Sequence, residues 1–203
     1  MQCGLGGLPE QSAGMGVDMS QRVAMFEDSL TIMRQLWAGK TVNHDRFWGL
    51  KNARIAPLPA QDIEVWIGAT APAAINRTAR LAEGWLGTPS STPQQAKEQL
   101  NQYRQACAEH QRKPSAVALR RDIFIGASVR EAEEFRSHAV AKGYRGFPER
   151  ALICGDISQV ATQFAELFEA GFTDIIVRNM ASDQGQALGT IEALSDVKRQ
   201  LRL

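Results

Sequence analysis

The sequence predicts an α/β fold with parallel strands inside and helices outside. Three observations carry that prediction. Short β-branched or aromatic runs, at 64–68, 85–88, 117–126 and 173–177, alternate with stretches of helical period. Capping residues, first-turn prolines and terminal glycines stand at the joints between them. Regular strand–helix alternation with no internal repeat is the pattern of a parallel sheet covered by helices.

Taken in order, Cys3–Leu8 reads as the end of a strand, with Gly4, Gly6 and Gly7 letting backbone pass close to a ligand. The glycine spacing is not a dinucleotide fingerprint, because Pro9 stands where the third glycine belongs and no full strand precedes it. Asp18 or Ser20 caps a helix running to Ala38. Val23, Phe26, Leu30, Met33 and Trp37 recur at spacings of three and four, and Gly39 stops it. Lys40–Gln61 has no helical period and carries Pro57 and Pro59, so it is a long excursion holding His44, Asp45, Phe47 and Trp48.

The stretch Glu64–Thr88 is the most informative. Val65-Trp66-Ile67 is a buried strand closed by Gly68; Thr70 is a helix cap and Pro72 a first-turn proline. Ala71, Ala74, Ile75, Ala79, Leu81 and Ala82 form an apolar face, Gly84 ends the helix, and Trp85–Thr88 starts the next strand. A strand feeding a helix N-terminus through a small-residue loop makes Gly68–Pro72 a candidate anion site.

Thr92 with Gln95 forms a capping box and Pro93 opens a polar helix to about Gln111. Ala116–Ala127 is a strand with Arg120, Arg121 and Asp122 inside it; these either face a barrel mouth or mark a half-exposed strand. Ser128 with Glu131 opens a helix ending at Gly143, and Tyr144–Glu149 is loop. Asp156 precedes a helix over 157–170 with Val160, Phe164, Leu167 and Phe168 facing in, and Gly171 ends it. Thr173–Val177 is the last strand, and a helix over 184–201 closes the chain.

Composition excludes several classes. With 23 basic and 22 acidic residues, the net charge of +1 suggests neither a nucleic-acid nor a membrane partner. Cys3, Cys107 and Cys154 are few and far apart, which predicts reduced, non-metal cysteines and a cytoplasmic protein. No signal-like N-terminus and no membrane-length apolar run occurs. No nucleophile–base pair, HExxH or P-loop stands out, so no catalytic residue is singled out and no metal is expected. His110 and His138 fall on polar helix faces.

Several of these motifs also carry a resemblance. Trp66-Ile67-Gly68-Ala69, then Arg77 and Ala79-Arg80-Leu81-Ala82, then Gly84-Trp85-Leu86, resembles the central signature of the luciferase-like monooxygenases. Arg22, Glu27, Leu30, Met33, Leu36-Trp37 and Gly39, the run Pro57–Gln61, Gly155-Asp156-Ile157 and Ala170-Gly171-Phe172 agree with it. The resemblance implies a (β/α)8 TIM-type barrel, here incomplete: about the last five strand–helix units, forming one truncated barrel domain over residues 1–203. A full barrel has eight strands and about 250 residues. It implies a flavin-dependent oxidoreductase or monooxygenase using reduced FMN, or alternatively F420, on a small organic substrate. The alternative is a catalytically inactive remnant acting as an oligomeric or binding scaffold.

The resemblance places the cofactor phosphate at Gly68, Ala69, Thr70 and Thr88, with Glu10 or Gln11 near the cofactor. It brings His44, Phe47 and Trp48 to a substrate pocket, or else to the barrel flank. Lacking part of the cradle, the chain is expected to hold free FMN weakly. Unpaired strand edges lead to the expectation of a homo-oligomer.

Overall fold

The computed structural model describes residues 1–7 and 9–201. Contacts divide the chain into two compact units, one comprising Met1 and Cys3–Glu64, the other Gln2 and Val65–Leu203.

In the first unit, only Cys3 of the expected first strand is in strand conformation, as the end of β1 (Gln2–Cys3), and Leu8 lies outside the described residues. A short helix, α1 (Pro9–Gly14), follows. Asp18 accepts from the Ser20 N–H at 2.8 Å, but it caps a single 3-10 turn that leads into α2 (Arg22–Trp37). Leu30 and Ile32 of α2 are buried together with Val42. Gly39, at φ 72, ends this segment in the left-handed region that suits glycine. The excursion is not structureless. β2 (Val42–His44) and β3 (Leu50–Ala53) form an antiparallel hairpin with a register shift between Val42 and His44. Three- and four-residue strands broken by a shift show too little alternation to be read from sequence.

The second unit is the parallel sheet. Its elements are β4 (Trp66–Gly68), α3 (Pro72–Leu81), β5 (Gly84–Gly87), α4 (Pro93–Glu109), β6 (Ala116–Ile125), α5 (Val129–Ala141), β7 (Leu152–Gly155), α6 (Ile157–Ala170), β8 (Asp174–Asn179) and α7 (Gln184–Gln200). The five strands pair in parallel and form an incomplete TIM-type barrel, a half-barrel with flanking helices. β7 carries no signal in the sequence, because Leu152-Ile153-Cys154-Gly155 is too short to show a period.

β6 organises the sheet. Leu119 pairs with both Gly87 and Ile175, and Asp122 pairs with both Leu152 and Arg178. A residue can pair with two strands only on its two edges, so β5 and β7 lie end to end along one edge of β6 and β8 runs along the other. Arg120 and Arg121 sit at the junction where β5 has ended and β7 has not begun. The strand is not half exposed: Arg121 is 1% and Asp122 0% accessible.

Alternation along β6 assigns the faces. Val117, Leu119, Ile123 and Ile125 join Leu100, Tyr103, Val160, Phe164 and Leu167 in the main core. Phe124 packs on the other face with Leu152, Cys154 and Ala132, and its ring stacks on Phe135 at 3.9 Å. The capping boxes of α4 (Thr92, Gln95) and α6 (Asp156, Gln159) form, and Gly171 closes α6 at φ 105. Ser128 accepts from the Glu131 N–H, but the Glu131 carboxylate takes the Ala127 N–H, so that box is half made.

Cys3, Cys107 and Cys154 form no disulfide among the described residues. Burial pushes the Cys154 thiol up to about 11, from an ordinary 9.0, and raises Cys107 as well. The unfolded chain therefore loses these protons first, and the stability they carry is lost as pH rises from about 9 toward 11. Arg121, lowered to about 10 by burial, acts in the opposite sense only above that value. The melting temperature is expected to fall between pH 9 and 10, and less so in Cys107→Ala/Cys154→Ala. An unchanged slope in that variant would count against this assignment.

Candidate functional site

The site is assembled around the end of β4 and the start of α3. Gly68 pairs with Leu86 as the last residue of β4, and the Ala69 N–H faces the Leu86 carbonyl at 3.4 Å. The Ala69 carbonyl accepts from the Trp85 indole N–H at 2.9 Å. Gly68 and Ala69 thus belong to the sheet and its continuation, and neither is among the residues lining the cavity of about 350 Å³ that Thr70 lines. Their role is to fix where the chain leaves the sheet.

Thr70 is not the helix cap. The N-cap of α3 is Ala71, whose side chain offers no oxygen, and Pro72 takes the first helical position. The N-terminus of α3 therefore has no side-chain cap, and the Thr70 hydroxyl is not used on the helix.

Thr70 and Pro72 line a cavity of about 350 Å³ together with Thr88, Ser90, Ser91, Gln95 and Gln99. Thr88 follows β5, so parallel pairing of β4 with β5 is what sets the two threonines side by side. The hydroxyls of Thr88 and Ser90 are 2.9 Å apart, and Ser91 donates to the Thr88 carbonyl at 3.0 Å. Gln99 Oε1 is buried without a partner among the described residues. Glu98 also lines the cavity, and among the described residues no lysine or arginine does. The walls thus offer neutral hydroxyl and amide groups, a helix N-terminus and one orphaned acceptor, beside a single carboxylate. Ser90, Ser91 and Gln99 escape sequence reading, since serine and glutamine after a strand are ordinary loop and surface residues.

The other expected site residues lie in the first unit. Glu10 is exposed in the first turn of α1. His44 Nε2 lies 3.2 Å from Asp28 Oδ2, and Arg46 reaches the same oxygen at 3.7 Å. Phe47 stacks on His44 at 6.4 Å, lies under the Arg46 guanidinium at 4.7 Å, and meets Trp48 edge-on at 6.4 Å. His44, Phe47 and Trp48 are thus brought into one row, with Trp48 43% exposed.

A family model for luciferase-like monooxygenases matches residues 1–149. The chain belongs to the luciferase-like monooxygenase family. Among its relatives is an F420-dependent glucose-6-phosphate dehydrogenase of Microbacterium testaceum, 33% identical over 81 residues, which are 39% of this chain and 24% of that protein. The aligned stretch thus spans about a quarter of that relative's length. Among solved structures, monooxygenase RslO1 from Streptomyces bottropensis superposes with a TM-score of 0.82 at 18% identity, covering 100% of this chain and 68% of that one. The oxygenating constituent of 3,6-diketocamphane monooxygenase from Pseudomonas putida, in complex with FMN, gives 0.74 at 17% identity, covering 96% and 68%. This luciferase-like chain therefore shares the family's fold across nearly all its length. No helix among its described residues is long and apolar enough to cross a membrane.

Proposed function

We propose that this luciferase-like chain binds a flavin or deazaflavin nucleotide, FMN or F420, and acts as an oxidoreductase on a small organic substrate. The observation that carries this reading is the convergence of Thr70, Thr88 and the uncapped α3 N-terminus on one cavity. A helix N-terminus flanked by hydroxyls suits a phosphate ester. The buried, unpartnered Gln99 Oε1 suits a hydroxyl-bearing chain next to that phosphate. The residues present therefore fit the phosphate end of either cofactor. When bound, the cofactor supplies the redox chemistry; the protein holds and orients it. Thr70, Thr88 and Ser90 would hold the phosphate end, and the sheet-bound Gly68 and Ala69 would keep Thr70 in register with Thr88.

Two relatives support the cofactor class from either side, one described as F420-dependent and one bound to FMN. Fluorescence titration of the intact chain with FMN and with F420 tests the reading and chooses between them. Thr70→Ala/Thr88→Ala is expected to weaken binding about tenfold, the equivalent of one net hydrogen bond. Binding of neither cofactor would overturn the proposal and leave the scaffold reading standing.

We also propose self-association through β8. It pairs with β6 along one edge and has no second strand partner among the described residues. A free parallel edge is a template for another chain. Light scattering is expected to report a dimer or larger species, and a stable 22.3 kDa monomer would refute this.

A further inference from the structure

A second cavity, of about 510 Å³, lies behind the sheet between α4 and α6. Arg121 lines it, on the β6 face shared with Leu119 and Ile123, at the junction between β5 and β7. A guanidinium is charged at neutral pH, carries five N–H donors and is costly to bury with any of them unused. Arg121 is 1% exposed. Among the described residues Nη1 has only the Thr88 and Arg120 carbonyls, at 3.5 and 3.4 Å, both near the outer limit for a hydrogen bond. Nη2 has no partner among the described residues. The adjacent Asp122 is committed on the opposite face to Arg145 at 2.9 Å.

The rest of the lining says what would satisfy it. Lys97 and Arg150 stand at the same cavity, both exposed and neither in an ion pair among the described residues. Glu166 and Glu169 are the opposing carboxylates, both exposed on α6, so the cations outnumber them and the deepest charge is positive. Ile153, Leu167 and Phe172 supply apolar wall. A buried, planar donor set at the end of a partly apolar cavity matches an oxyanion with a small apolar body. Arg121 does not line the cavity that holds Thr70 and Thr88, so the two cavities are distinct, although they adjoin where Arg121 Nη1 reaches the Thr88 carbonyl.

We propose that this cavity binds a small organic oxyanion, a carboxylate or a phosphate ester, with its charged head on Arg121. The test is nuclear magnetic resonance of the full chain, following the Arg121 Nε–Hε signal during titration with benzoate and with inorganic phosphate at ionic strength fixed by sodium chloride. A saturable shift with benzoate assigns a carboxylate ligand; one with phosphate assigns a phosphate ester. Arg121 variants threaten folding, so other lining positions carry the mutational test. Lys97→Ala/Arg150→Ala is expected to weaken the response about tenfold, and Gln163→Trp, which fills the cavity from α6, to abolish it. An Arg121 signal unmoved by either anion, or shifted equally in Gln163→Trp, would overturn the proposal. Loss of FMN or F420 binding would not, because that reads the other cavity.

Discussion

Arg145→Ala is expected to destabilise the fold by about 3–5 kcal/mol, the cost of leaving a buried charge without its partner. Asp122 is fully buried in β6, and Arg145 is its close partner at 2.9 Å. Arg120 lies at 3.8 Å from the other carboxylate oxygen, which has no hydrogen bond. The pair is asymmetric, because the arginine side chain is 39% exposed and the aspartate 0%. Removing Asp122 lets Arg145 turn to water, so Asp122→Asn is expected to cost less than Arg145→Ala. Arg145 also sits at φ 56, in the left-handed region that a β-carbon disfavours. Arg145→Gly removes the same side chain but relieves that backbone, and is expected to be about 1 kcal/mol milder than Arg145→Ala. Urea unfolding of the three variants gives the order. Equal losses for Asp122→Asn and Arg145→Ala would mean that the ion pair is not what holds the carboxylate.

How much of this was legible in the sequence depends on how much pattern each element carries. Helices that bury one face over three or more turns declare themselves, as α6 does with Val160, Phe164 and Leu167. Caps are equally readable where a side-chain oxygen does the work, as at Thr92 and Asp156. The start of α3 is not legible in the sequence, because Thr70 is a good cap by type while the backbone places Ala71 at the capping position. β2, β3 and β7 have three or four residues each, too few for alternation to show. For β6, composition put three charged residues in a strand, and only pairing shows how they differ. Asp122 is neutralised on one face, Arg121 is buried on the other, and Arg120 remains part-exposed. The threonines of the candidate site were within reach because strand and helix order place them. Ser90, Ser91 and Gln99 were not, since their meaning comes from a cavity between segments distant in sequence.

Trp85→Ala is expected to cost about 3–5 kcal/mol, the range for truncating a buried aromatic residue. Trp85 is 0% exposed, with Tyr103 at 5.4 Å and Phe172 at 6.2 Å between ring centroids. A variant that damaged only the core would say nothing about function, so Trp85→Phe is the informative one. Phenylalanine keeps an aromatic ring against Tyr103 and Phe172 but cannot donate to the Ala69 carbonyl. That carbonyl belongs to a 7% exposed residue, and leaving it unpaired costs about 1–3 kcal/mol. The cost falls on the segment between β4 and α3, because Ala69 is next to Thr70. Freed of the indole, the segment no longer holds Thr70 in register with Thr88, and the cavity they share loses its shape. Trp85→Phe is therefore expected to weaken FMN or F420 binding although it touches neither threonine, and to do so at temperatures where the chain remains folded. Thermal melts alongside fluorescence titration separate the two effects. Unchanged cofactor affinity in a folded Trp85→Phe protein would show that the indole holds the core alone and does not position the site.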